Sequence, residues 1–182
     1  VRFAAPANPS GWLFKPCGGA GGVGVRRAVS GESLEANGFY QAFVKGPVCS
    51  LLFAADGHDI AAIGFNRVVA RYPAAGDFRF AAVIGGLAVT DRQAAAMLLA
   101  ARRLTRALGL RGVNGLDFVM DGGEPRLIDL NARPPASLEL YERSLPGGGL
   151  ACHLAACNGV LPEAGPVTGS VGLRIVYTRR AL

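Results

Sequence analysis

The chain has 182 residues, 51% of them hydrophobic, a net charge of +6 and 26 glycines without a repeat period. That length and apolar content support a buried core in one domain or two small lobes, and exclude a collagen-like or low-complexity chain. The positive charge is carried by arginine apart from Lys15 and Lys45, and no zinc-finger spacing or basic helix with interleaved aromatics accompanies it, so no nucleic-acid partner is expected.

Four cysteines, Cys17, Cys49, Cys152 and Cys157, lack metal-site or redox spacing and read as small buried residues in a reducing, cytoplasmic protein. No apolar run reaches the roughly 18 residues of a membrane span and no signal peptide is read, so no membrane partner is expected.

In chain order, residues 12–15 read as a short apolar strand and residues 17–24 as a glycine-rich turn, with Val23, Val25 and Val29 resuming alternation as a returning strand. A Walker A loop is excluded, because Lys15 precedes the glycines and is followed by Pro16. A glycine hairpin can still fold over phosphates, since missing Cβ atoms let backbone N–H groups approach the oxygens while Lys15 supplies charge. The alternative is an ordinary turn.

Residues 39–45 read as extended, Gly46-Pro47 as a break, and residues 48–55 as a buried strand that turns at 56–59 into a strand over 60–65. A break between two lobes is where a flat base could slot in, bonded to main chain around Gln41 and Val44; a bulged sheet reads the same way. Residues 66–86 read as a long irregular loop carrying Arg67, Arg71 and Arg79, of which Arg67 or Arg71 could hold a carboxylate bidentately. His58 and His153 have no evident partner and read as structural.

Residues 90–108 give the clearest helix, with Thr90 and Gln93 as a capping-box pair, Met97, Ala101, Leu104 and Leu108 as the core stripe, Arg102, Arg103 and Arg106 as a wet face, and Gly109 as the stop. An acidic hairpin follows. Residues 137–143 then read as a short helix, 147–149 as a break, 150–157 as a helix, 162–169 as a loop and 171–177 as a closing strand.

Period-two alternation in the hairpin puts Asp117 and Val119 on one face of a first strand, and Leu127, Asp129 and Asn131 on one face of a second, joined by a five-residue loop over 121–125. Met120 then faces Arg126 and Asp117 falls opposite Asp129, with Cβ atoms roughly 5 Å apart. Two opposed carboxylates cost stability unless a positive charge lies between them. Carboxylates plus an amide oxygen suit Mg²⁺ or Mn²⁺. Two solvated surface aspartates are the alternative.

Taken together, Trp12-Leu-Phe-Lys-Pro16 with its glycine hairpin, Tyr40-Gln-Ala-Phe-Val-Lys-Gly46, and Asp117 followed by Asp129-Leu-Asn131-Ala-Arg133-Pro134 resemble the ATP-grasp superfamily in order and spacing. The resemblance implies an α+β fold of two lobes with mainly antiparallel sheets around a nucleotide site, here divided as residues 1–40, a partial glycine-rich lobe, and 41–182, the metal-bearing lobe. It implies ATP and Mg²⁺ (or Mn²⁺) as cofactors: Lys15 with Gly19, Gly21 and Gly22 at the phosphates, Gln41, Phe43 and Val44 at the adenine hinge, and Asp117, Asp129 and Asn131 at the metal. Arg133 matches the position that relatives place against the reacting carboxylate, so Arg133 and Lys15 are the implied catalytic cations.

The implied reaction activates a carboxylate as an acyl phosphate for attack by an amine, and a protein nucleophile is not needed for it. The Asn131 to Ser137 segment and Gly64-Phe-Asn-Arg67 are most similar to the branch related to carbamoyl-phosphate synthase and biotin carboxylase, which suggests a role in one-carbon cofactor assembly (methanofuran or tetrahydromethanopterin). A bicarbonate-activating carboxylase and a non-catalytic ATP-binding regulatory subunit are the alternatives. Relatives place a glutamate for the ribose just after the hinge, where this chain has Val48, Cys49 and Ser50. They also carry a preceding substrate domain not found before Val1, so a homo-oligomer or partner chain supplying it, a truncated chain or an impaired copy is expected.

Overall fold

The computed structural model describes residues 1–29, 37–72, 75–163 and 171–177. Its elements are β1 (Trp12–Pro16), β2 (Arg26–Arg27), β3 (Gly38–Ala42), β4 (Val48–Asp56), β5 (Ile60–Tyr72), β6 (Asp77–Gly85), α1 (Asp91–Leu108), β7 (Arg111–Asp121), β8 (Glu124–Asn131), a 3₁₀ segment (Ala136–Tyr141), α2 (Gly148–Cys157) and β9 (Gly172–Arg174). The fold is α+β with mainly antiparallel sheets, as expected: one sheet has the order β2-β1-β3 and the other β8-β7-β4-β5-β6-β9. The chain forms two compact units, the first made of residues 1–45, 69–82 and 175–182, the second of residues 46–68 and 83–174.

In the first unit β1 pairs with β3 from Trp12↔Ala42 to Pro16↔Gly38. The returning strand is shorter than expected, because only Arg26 and Arg27 pair with β1 and the loop before them is set by glycines in left-handed conformations. Phe14 and Tyr40 are buried between these strands in an edge-to-face contact, 5.6 Å between centroids. Cys17 is exposed, against the expectation of a buried residue, since it opens that loop.

Residues 66–86 are not a loop. β5 runs on to Tyr72 and β6 begins at Asp77. Arg67, Arg71 and Arg79 therefore lie on strands, and within the first unit Arg79 grips Asp77 through Nη2 at 2.7 Å while Arg71 lies 3.6 Å from the same carboxylate. The Arg71 and Arg79 guanidiniums also stack on Tyr177, at 5.2 and 5.1 Å respectively.

In the second unit α1 covers one face of the sheet. Its Thr90 and Gln93 form the expected capping box and Gly109 ends it at φ 64°. Met97 and Ala101 are buried against Cys49, Leu51, Phe53, Leu116 and Phe118. The stripe ends differently from the expectation: Thr105, one turn past Ala101, is buried, and Leu108 in the last turn is 58% exposed. Arg102 and Arg106 are on the wet face but partnered, by Asp59 and by the His58 carbonyl.

The opposite sheet face carries Leu52, Ala54 and Val113, all fully buried, and α2 packs against β4 and β7. His153 of α2 accepts the Val113 N–H through Nδ1 at 3.0 Å, a structural role as expected. The helix opens two residues earlier than the sequence suggests. Glu142 reaches its first turn and accepts the Gly149 N–H at 2.7 Å, and a Cβ at Gly149 would meet Leu138 Cγ at 2.7 Å. The glycines read as a break are thus the helix N-terminus, held by a carboxylate. The expected closing strand is limited to Gly172–Arg174, and most of the expected loop over 162–169 lies outside the described residues.

Candidate functional site

The acidic hairpin is tighter than the sequence reading and contains an irregularity that the reading lacks. β7 and β8 pair Met120 with Pro125 and Asp121 with Glu124, leaving a turn of Gly122 and Gly123 at φ 57° and 93°. Two consecutive positive φ values are what a two-residue hairpin requires. Met120 therefore does not face Arg126; Val119 does. A register shift then intervenes, with Phe118 opposite Leu127 and Asp117 opposite Asp129, so Ile128 is the extra residue of a bulge. The bulge takes Leu127 out of the alternation and restores the opposition of the two carboxylates that a five-residue loop would have given.

Asp117 is half-buried and Asp129 exposed, on neighbouring strands in direct register. Asn131, opposite Gly115, donates through Nδ2 to Asp117 Oδ2 at 3.2 Å. That bond orients the amide so that its oxygen is turned away from the carboxylate and remains an acceptor. The donor set is two carboxylates and one amide oxygen, hard ligands of the kind Mg²⁺ takes together with water and phosphate oxygens. Among the described residues no three His, Cys, Asp or Glu side chains gather as a metal site, and here the third oxygen beside the two carboxylates is an amide. Arg133 is exposed two residues beyond Asn131.

Space is tight beside these residues. A Cβ at Gly115 would meet Pro135 Cγ at 3.2 Å, and one at Gly46 would overlap the Met120 carbonyl. The Asp117 charge also reaches across the sheet: burial first, then this carboxylate, pushes the Cys49 thiol up to about 11.

The other predicted residues are in the first unit. Lys15 is half-buried on β1 opposite Phe39, and the glycine loop follows it. Gly21 and Gly22 take φ 59° and 75°, Gly19 does not, and the loop docks on β6 where Phe80 N–H donates to the Gly21 carbonyl at 2.8 Å. A Cβ at Gly22 would overlap the Phe78 carbonyl. Gln41 lies inside β3, while Phe43 and Val44 follow its end. The Phe43 N–H is taken by the Gly11 carbonyl at 2.7 Å, and its ring lies under the Arg27 guanidinium at 4.3 Å and beside Phe78 at 6.3 Å. Of the hinge residues, Phe43 therefore offers a ring and a carbonyl rather than an N–H.

Three residues near the acidic pair were not anticipated. Ser50 pairs with Asp117 on one side and Asn66 on the other, Asn66 donates to Ser50 Oγ at 3.2 Å, and Tyr141 donates to Asn66 Oδ1 at 2.6 Å. Ser50 was legible as the one polar side chain inside an otherwise apolar stretch of β4. Asn66 and Tyr141 had no such signal.

Two units built mainly of antiparallel strands, one carrying a glycine hairpin behind a lysine strand and the other an oxygen-rich hairpin beside a capped helix, define the class of fold. The chain belongs to the ATP-grasp family: the family's ATP-grasp domain profile matches residues 4–137. Among solved structures it is similar to N5-carboxyaminoimidazole ribonucleotide synthetase from Thermus thermophilus, at 17% identity and TM-score 0.69, covering 88% of this chain and 45% of that one. It is also similar to L-amino acid ligase from Bacillus licheniformis, at 16% identity and TM-score 0.58, covering 87% and 40%. A third is the biotin carboxylase domain of 2-oxoglutarate carboxylase from Hydrogenobacter thermophilus in complex with MgADP, ADP and bicarbonate, at 15% identity and TM-score 0.64, covering 82% and 37%. At these identities the likeness is one of fold, and the chain spans less than half the length of each. No curated protein matches the chain. Among the described residues no helix is long and apolar enough to cross a membrane.

Proposed function

We propose that this chain supplies the nucleotide- and metal-holding residues of an ATP-dependent ligase that activates a carboxylate as an acyl phosphate and passes the acyl group to an amine. The observation that carries the reading is the register of Asp117 against Asp129, with Asn131 bonded to the first of them. Opposed carboxylates on adjacent strands are unfavourable unless a cation joins them. Asp117, Asp129 and Asn131 would hold Mg²⁺, which when bound neutralises charge on the phosphates during transfer. Lys15 would neutralise a phosphate oxygen, the Gly19, Gly21 and Gly22 backbone would approach the phosphates, and main chain over 41–44 would meet the adenine. Arg133 would fix the acceptor carboxylate through its planar fork.

L-amino acid ligase and N5-carboxyaminoimidazole ribonucleotide synthetase, by their names, fit an amine acceptor, and the bicarbonate in the biotin carboxylase complex keeps bicarbonate activation as a second reading. The narrower expectation of a one-carbon cofactor pathway finds no support among these relatives. A longer form of this chain or a partner protein would complete the acceptor pocket.

The test is ADP and phosphate release from the full natural reading frame against a panel of carboxylate and amine pairs, with and without bicarbonate. Amine-dependent release supports the ligase, bicarbonate-dependent release without a carboxylate supports the carboxylase, and nucleotide binding without release under any condition leaves a regulatory subunit. Asp117→Asn is expected to weaken Mg·ATP binding at least about tenfold by calorimetry, and unchanged affinity would remove the metal assignment. Arg133→Met is expected to keep ATP affinity within about threefold while phosphoryl transfer disappears.

A further inference from the structure

Ser50, Asn66, Asp117 and Asp129 form one polar row, since β5, β4, β7 and β8 pair Asn66↔Ser50, Ser50↔Asp117 and Asp117↔Asp129. Cross-strand partners share a face with Cβ atoms roughly 5 Å apart. Two of the four are deeply buried, Asn66 at 0% exposure and Ser50 at 5%, where an unbonded polar group would cost about 1–3 kcal/mol. The other face of these strands packs Cys49, Leu51, Leu116 and Phe118 into the apolar core with Met97 and Ala101.

The row has a direction. Tyr141, 1% exposed, closes its far end, and room for the ring is made by Gly64, where a Cβ would overlap the phenol, and by Gly85, where one would lie 3.4 Å from Oη. Burial raises the phenol's pKa, against a backbone hydrogen bond at Gly86 that occupies the phenol oxygen. Its single proton is then given to Asn66 Oδ1 at 2.6 Å, which fixes the amide so that Nδ2 donates to Ser50 Oγ at 3.2 Å. Ser50, having accepted, has one proton left, and the next acceptor along the row is the Asp117 carboxylate.

We infer that Ser50, Asn66 and Tyr141 are positioning residues that hold Asp117 in the orientation a divalent cation needs, each donating toward that carboxylate. Asn131 grips the same carboxylate from the other side, through Oδ2. Asp117 is bonded by Asn131 on one flank and has the Ser50 hydroxyl as its cross-strand neighbour on the other, whereas Asp129 is an exposed ligand that can adapt. Such preorganisation lowers the ordering cost of binding and shows as affinity. The inference rests on Asp117 being a ligand, as proposed above.

The probe is Mn²⁺, titrated by electron paramagnetic resonance in the presence of a non-hydrolysable ATP analogue, with thermal unfolding of each variant measured alongside. Ser50→Ala is expected to weaken Mn²⁺ binding about five- to thirtyfold, and Tyr141→Phe, which removes only the distant hydroxyl, about two- to fivefold, with metal-free analogue affinity within twofold of the parent in both. Asp117→Asn separates the two readings. If that variant binds Mn²⁺ like the parent, the metal site itself is wrong and the row has nothing to position. If it loses Mn²⁺ while Ser50→Ala and Tyr141→Phe bind like the parent and change only unfolding temperature, the site stands and the positioning role is overturned. Should Ser50→Ala fail to fold, parental Mn²⁺ affinity in Tyr141→Phe overturns it alone.

Discussion

Two hairpins in this chain turn on glycine and are held in opposite ways. Across residues 17–24, Gly18, Gly21, Gly22 and Gly24 spread positive φ values of 79°, 59°, 75° and 77° along a wide loop. It is closed by backbone bonds, Val23 N–H to the Ala20 carbonyl, Val25 N–H to the Gly22 carbonyl and Phe80 N–H to the Gly21 carbonyl. Gly122 and Gly123 instead concentrate two positive φ values in one tight turn whose flanks are gripped by side chains. Gln93 Nε2 donates to the Gly123 carbonyl at 2.8 Å, Arg92 pairs with Glu124 at 2.7 Å, and Arg126 lies 3.5 Å from Asp121. A loop held through its backbone can be reshaped without disturbing packed side chains, while a hairpin tied to a capped helix keeps its acidic residues in register. On the function proposed above, the first would suit a cover that opens and closes, and the second a metal site ready beforehand.

The comparison breaks most visibly at Gly22. Gly22→Ala puts a Cβ into the Phe78 carbonyl at a left-handed φ of 75°, and the two penalties together amount to about 2–4 kcal/mol. The expected response is release of the loop from β6, read as lost hydrogen-exchange protection at the Phe80 amide, whose bond to the Gly21 carbonyl holds the contact. Retained protection would mean that the loop is held by something other than that seat.

Gln93 tests the second hairpin. Its side chain accepts the Thr90 N–H at 3.0 Å and donates to the Gly123 carbonyl, so Gln93→Ala removes half the capping box and the tie to the turn together. A loss of about 1–2 kcal/mol is expected by denaturant unfolding. Gln93→Glu keeps the box and loses only the donor, and should cost about half as much. Equal losses would place the whole effect in the tie to the hairpin and none in the cap.

Side-chain anchoring also occurs in the first unit, on its strands rather than in its loop, and pH reports it. Hydrogen bonds from Arg79, with its charge and that of Arg71, hold the Asp77 carboxyl below its ordinary 3.8, at about 2. A carboxylate lowered by folding contributes stability above its unfolded pKa and loses that contribution as pH falls through the folded one. Acid unfolding of the parent should therefore steepen from pH 3.8 down to about 2, and Asp77→Asn should flatten that segment in a circular-dichroism titration.

What could be read from sequence divides along the same line. The acidic residues, the capping box and the stop at Gly109 were legible because each depends on neighbours within a few positions. Strands β5 and β6 were not: Pro73 and Gly76 are strong local breaks, and they masked the β-forming residues on either side. The turn was misjudged although Gly-Gly between alternating residues is a two-residue hairpin signal; the bulge at Ile128 was invisible, since nothing local marks where a strand takes an extra residue. Tyr141 over Gly64 and Asn66, and Glu142 at the α2 N-terminus, are contacts set by packing, and one sequence carries no trace of them.

The smallest expected effect sharpens the contrast from the other side. At Gly122 a Cβ would meet nothing within 4 Å, and the φ of 57° is one that asparagine tolerates better than other side chains. Gly122→Asn makes the turn Asn-Gly, a favoured pair for this geometry, and restricts the unfolded chain, so stability should change by no more than about 0.5 kcal/mol in either direction. Nucleotide-dependent Mn²⁺ affinity should not move at all, because Asp117 and Asp129 are placed by the bulge and the strand register rather than by the identity of the turn residue. A loss of Mn²⁺ affinity with unchanged stability would show that the turn, and not the register behind it, sets the distance between the two carboxylates.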